Sequence, residues 1–129
     1  MDDFILHITL NRDEHDNNSN IAKLSQQLRN DLLKLNVKDV DYLLKENSMN
    51  GTKAGDIISW ETLIVTLAAS GGVITTLVNF IIGWLKRNEG RSVVLELNGN
   101  KLEVSGLSAS EQKELIETWL KRNSGILLK

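Results

Sequence analysis

His7 and His15 are the only imidazoles in a chain of 129 residues that has no cysteine. Without Cys there are no disulfides, no thiolate metal sites and no Cys nucleophile. Any other nucleophile needs a base beside it and a third group to orient that base. Neither histidine is placed for that work: His7 falls on the outward face of an expected strand and His15 in a polar loop. The run Asp13-Glu14-His15-Asp16 has the oxygen and nitrogen donors a divalent ion takes. Four consecutive loop residues do not converge easily on one point, however, and no second cluster completes a shell. Asp39 and Asp41 share a strand face as solvated carboxylates. Gly71-Gly72 and Gly51…Gly55 lack the downstream Lys-Ser/Thr of a phosphate-cradling loop. No catalytic residue, metal ligand or cofactor site is expected.

Composition narrows the partners. The chain is 41% hydrophobic and 25% charged, globular proportions for one domain over 1–129. A net charge of −2 and few, scattered aromatics argue against nucleic-acid binding. Asp2 and Asp3 stand where a signal peptide would need a basic region, so a cytoplasmic location is the expectation. The acids lie mostly in the first half while the bases are spread evenly, so residues 1–61 are net negative and 62–129 net positive, a mild polarity that a partner could read.

The elements that must position these residues follow from periodicity. Phe4, Leu6, Ile8 and Leu10 alternate, which predicts a strand with those four on one face. Ile21, Leu24, Leu28, Leu32 and Leu35 recur at three and four, an amphipathic helix capped by Ser19 or Asn20. A strand is expected over 37–44 and a flexible polar loop over 45–56. Asn98-Gly99-Asn100 between two alternating runs, 91–97 and 101–104, is the strongest hairpin signal in the chain. Ser108 and Glu111 form a capping box for a last helix whose buried stripe would be Leu115, Ile116, Trp119 and Leu120.

The middle of the chain is the most informative part. From Thr62 to Leu85 there are 24 residues without a charge, flanked by Glu61 and by Lys86-Arg87. One apolar central helix over 57–87 is the expectation, with a break at Gly71-Gly72 as the variant. As one helix the 24 uncharged residues would span roughly 36 Å, enough for a bilayer core of about 30 Å, with Trp60 and Trp84 near the ends. Its polar residues and its glycines weaken that membrane reading. On the same helix Ala68, Gly72, Thr76, Asn79 and Gly83 form a stripe of small side chains that admits a neighbouring backbone. Lys86, Arg87 and Arg91 add a basic rim. Three readings stand: a helix buried on the sheet, a docking surface for a partner or a second copy, and a membrane-inserted segment.

The order of features resembles the effector-associated constant component family of bacterial conflict systems. The likeness rests on a short strand and helix, a turn at Gly55, and the glycine-interrupted Leu67-Ala68-Ala69-Ser70-Gly71-Gly72. It continues through the close on Trp84-Leu85-Lys86-Arg87, the hairpin over 93–104 and the terminal helix from Ser108. The resemblance covers nearly the whole chain and includes no catalytic signature. It implies a non-enzymatic accessory protein encoded beside an immunity module. Its partners would be a signalling NTPase and an effector such as a protease or nuclease. The loop over 45–55 has no proline, a departure that leaves the turn before the central segment undefined by the likeness.

The expected fold is thus a single α+β domain ordered β-α-β-α-β-β-α, with helices on one face of a small mixed or antiparallel sheet. The expected function is an adaptor that associates through the central helix. The alternative is a membrane anchor or envelope-permeabilising effector using 62–85.

Overall fold

A computed structural model of the chain describes residues 3–12, 15–35, 37–45, 57–68, 70–88, 90–105 and 113–123. In chain order these form β1 (Asp3–Leu10), α1 (Asn18–Leu33), β2 (Asp39–Lys45), β3 (Ile57–Ala68), α2 (Gly71–Arg87), β4 (Ser92–Leu97), β5 (Asn100–Ser105) and α3 (Lys113–Asn123). The five strands make one antiparallel sheet in the order β2-β3-β1-β4-β5.

β1 is the central strand, and its alternation sets the core. Phe4, Leu6, Ile8 and Leu10 are buried, while Asp3 and Ile5 are exposed and His7 and Thr9 half-buried. The same alternation continues in β3 through Leu63, Val65 and Leu67 and in β4 through Val93, Leu95 and Leu97. All of these join one core with Leu28 and Leu32 of α1, Ile74, Leu77, Ile81 and Leu85 of α2, and Ile116 and Leu120 of α3. Each buried aliphatic side chain contributes about 1.5–3 kcal/mol. The opposite face of the sheet carries the polar half of the alternation.

Local chemistry fixes the ends. Asn17, not Ser19 or Asn20, caps α1: its Oδ1 accepts from the Asn20 N–H at 2.8 Å. On β2, Arg29 of α1 donates from Nε to the Val40 carbonyl at 3.0 Å and lies over the Tyr42 ring. The hairpin turn has both central residues left-handed, Asn98 at φ 52° and Gly99 at φ 82°, with Leu97 opposite Asn100. That is the two-residue turn whose twist matches its flanking strands.

Three expectations change. The central helix over 57–87 does not form as one element: residues 57–68 are a strand, and the helix starts at Gly71. The order therefore gains a strand and becomes β-α-β-β-α-β-β-α. Leu63, Val65 and Leu67 repeat every second residue, and pairing with β1 and β2 on both edges suits that run better than a helix does. Residues 62–68 of the stretch expected to span a membrane belong to that strand, and among the described residues no helix is long and apolar enough to cross a membrane. On α3, Leu115 is 54% exposed and so leaves the buried stripe, which Ile116 and Leu120 keep. The loop over 46–56 and the Ser108–Glu111 box lie outside the described residues.

Candidate functional site

The residues expected to carry function lie on and around α2. The helix begins cleanly because Ser70 is extended (φ −134°, ψ 150°) and its Oγ accepts from the Val73 N–H at 3.3 Å. It ends at Asn88, whose Nδ2 donates to the Trp84 carbonyl at 2.8 Å. Lys86 and Arg87 occupy the last turn, where cations answer the negative end of the helix dipole.

Between those ends α2 buries one broad face and leaves another open. Ile74, Leu77, Val78, Ile81, Ile82, Trp84 and Leu85 are buried. Gly72, Thr76 and Asn79 are exposed, Gly83 is half-buried, and Lys86 and Arg87 are exposed. Spacings of three and four place these along one side of the helix. The small-residue stripe therefore exists on α2 from Gly72 to Gly83 and faces away from the core.

Two expected members are elsewhere. Ala68 is the last residue of β3, opposite Asp3 of β1, and so shares no helical face with Gly72. Arg91 lies beyond α2, and its guanidinium grips the Asp16 carboxylate at 2.5 and 2.7 Å. The exposed basic rim is thus Lys86 and Arg87.

The N-terminal end of the stripe opens on a cleft of about 350 Å³. Leu35 and Val37 from the α1–β2 connection, Leu67 of β3, and Val73 and Leu77 of α2 supply its apolar walls. Gly72, Thr76 and the capping Ser70 line it as well, so stripe and cleft are continuous. Leu35 and Val37 are not in the expected set. They could not be, because the cleft depends on β3 being a strand that ends beneath the α1–β2 connection.

His7 stands on the open sheet face opposite Glu96 of β4 and Ile64 of β3. Asp13 and Glu14 lie outside the described residues, and among those described no group of three acids or histidines comes together. Among the described residues, Glu117 on α3 has a displaced ionisation. Its carboxyl is held below the usual range chiefly by a hydrogen bond from Lys121, aided by that residue's charge, by Thr75 and by Lys113, against the opposing effect of burial. Thr75 Oγ1 donates to Glu117 Oε1 at 3.3 Å, so this small network joins α2 to α3.

Compared with protein-family models, with curated proteins and with solved structures, the chain matches none.

Proposed function

We propose that the protein is a non-enzymatic association module whose docking surface is the exposed side of α2 with its adjoining cleft. In the setting the family resemblance implies, it is a cytoplasmic accessory component of a bacterial NTPase-linked defence system. Its partner there is the effector or signalling NTPase of the same module, or a second copy of the chain.

One observation carries the reading. Gly83 lies in the interior of α2, where glycine costs about 1 kcal/mol relative to alanine, yet the fold requires neither it nor Gly72 in the first turn. A Cβ added at Gly72 meets nothing within 4 Å, and at Gly83 it meets only the tip of the Arg87 side chain at 3.4 Å. What bare backbone does permit is close approach by another chain from outside. The apolar cleft beside Gly72 gives such a chain something to bury, and Lys86 and Arg87 favour an acidic residue at the far end.

The test is substitution without loss of fold. Gly72→Leu and Gly83→Leu keep the circular dichroism spectrum and a two-state thermal transition, while co-purification with the products of the adjacent genes falls at least tenfold. Unchanged capture of those proteins by both variants removes α2 as the docking surface.

A further inference from the structure

We propose a second docking surface, on the open face of the sheet across from the helices, that takes a cationic amphipathic helix of another protein. It is independent of the α2 surface and opposite to it in charge.

The register places its residues. Asp41, Ile64, His7, Glu96 and Lys101 form one row across all five strands. Thr62, Thr9, Val94 and Glu103 form the next, and Asp39, Thr66 and Ile5 the row on the other side. The centre is apolar or neutral: Ile5 is 53% exposed, and Ile64 and Val94 are half-buried. A hollow of about 250 Å³ opens beside Ile5, bounded by His7, Glu96 and the Asn98-Gly99 turn.

Charge chooses the occupant. Among the described residues the face carries five carboxylates, Asp3, Asp39, Asp41, Glu96 and Glu103, against Lys101 and the bordering Lys38. Lys38 is already bound to Asp3 at 2.7 Å. Asp41 accepts from the Tyr42 N–H and Glu103 from the Asn11 amide, donors that bring no countercharge. Apart from Asp3, on the central strand and bound to Lys38, the acids sit on two flanks, β2 on one side and β4–β5 on the other. Asp41 and Glu96 are three strand spacings apart, roughly 14 Å. A helix about 10–12 Å across fits between those flanks. Its apolar stripe would cover Ile5, Ile64 and Val94, and its Lys or Arg side chains on either side would reach the carboxylates. An anionic membrane is repelled by this face, and a second copy would set like charge against like.

The test titrates the full-length, isotope-labelled protein with a Leu/Lys amphipathic helical peptide and with a Leu/Glu peptide of the same pattern. The expected result is saturable shifts of the Ile5, Ile64 and Val94 methyl signals with the Leu/Lys peptide, weaker as salt rises, and none with Leu/Glu. Ile5→Ser, at an exposed position that folding does not need, lowers the affinity about tenfold. Asp39→Asn with Asp41→Asn lowers it several-fold. Equal affinity in Ile5→Ser would reduce the effect to counterion attraction and overturn the proposal. So would shifts confined to α2, or Ile5 signals that move with protein concentration alone and so report self-association.

Discussion

Arg91 and Asp16, 75 residues apart in sequence, are joined by two parallel hydrogen bonds of 2.5 and 2.7 Å. The carboxylate side chain is only 5% exposed and the guanidinium 21%. The pair fastens the connection leading into α1 to the one leading out of α2, and Asn11 adds a bond to Ser92 beside it. Such a fork is the geometry arginine provides and lysine does not. Removing one partner of a buried pair strands the other charge. Arg91→Ala is therefore expected to cost about 3 kcal/mol and Arg91→Lys about 1 kcal/mol, read from urea unfolding midpoints.

Ser25 makes the opposite prediction. Its hydroxyl is fully buried on α1 with no hydrogen-bond partner, between Ile21 and Leu28 on the sheet-facing side. Ser25→Ala removes an unmatched polar group and improves helix propensity, which adds about 1 kcal/mol. A rise in Tm of about 4 °C checks it.

The hairpin turn is sensitive at one backbone position. Gly99 has φ 82°, where a side chain is strained, while Asn98 tolerates its own left-handed value and ties the turn to α3 through the Asn123 carbonyl at 2.5 Å. Gly99→Ala should cost about 1–2 kcal/mol. Amide exchange should speed up first along β4 and β5 if the strain is local.

Glu117 gives the pH dependence its sign. Its pKa is lowered in the folded state from 4.5, chiefly by the Lys121 hydrogen bond. A depressed carboxyl contributes stability above its unfolded pKa and loses it as pH falls through the folded value. Wild type and Glu117→Gln should thus differ at neutral pH and converge in acid. Denaturation at a series of pH values measures the convergence, and a carboxyl-carbon titration measures the shift itself. A constant difference down to the acid end would mean that packing, not charge, sets the contribution.

Legibility in the sequence tracked how far a local pattern suffices. β1 was readable because its apolar residues alternate without interruption, and the hairpin because Asn-Gly specifies a turn on its own. β3 was not. An uncharged run satisfies helix and strand templates alike, and only the partners on both of its edges decide between them. Thr62 and Thr66 read as polar interruptions of a helix until Thr9 and Ile5 are seen opposite them across the ladder. Leu115 failed for a smaller reason: α3 turns Ile116 and Leu120 inward, which swings Leu115 to solvent. Of the small-residue stripe and its basic rim, the part inside α2 was legible from spacing. Ala68 and Arg91 were not, since their positions depend on where β3 ends and on a pairing with Asp16.

The strand at the middle of the sheet is also the earliest in chain order. Thr9 bonds to Thr62, 53 residues on, and Asn11 at its end to Ser92, 81 residues on. At the pace of a ribosome, Phe4, Leu6, Ile8 and Leu10 wait roughly 4–16 s before their second neighbour has been made. During that interval at least one edge of an apolar ribbon is on offer to whatever is nearby, so the newborn chain should be a chaperone client until β4 has been made.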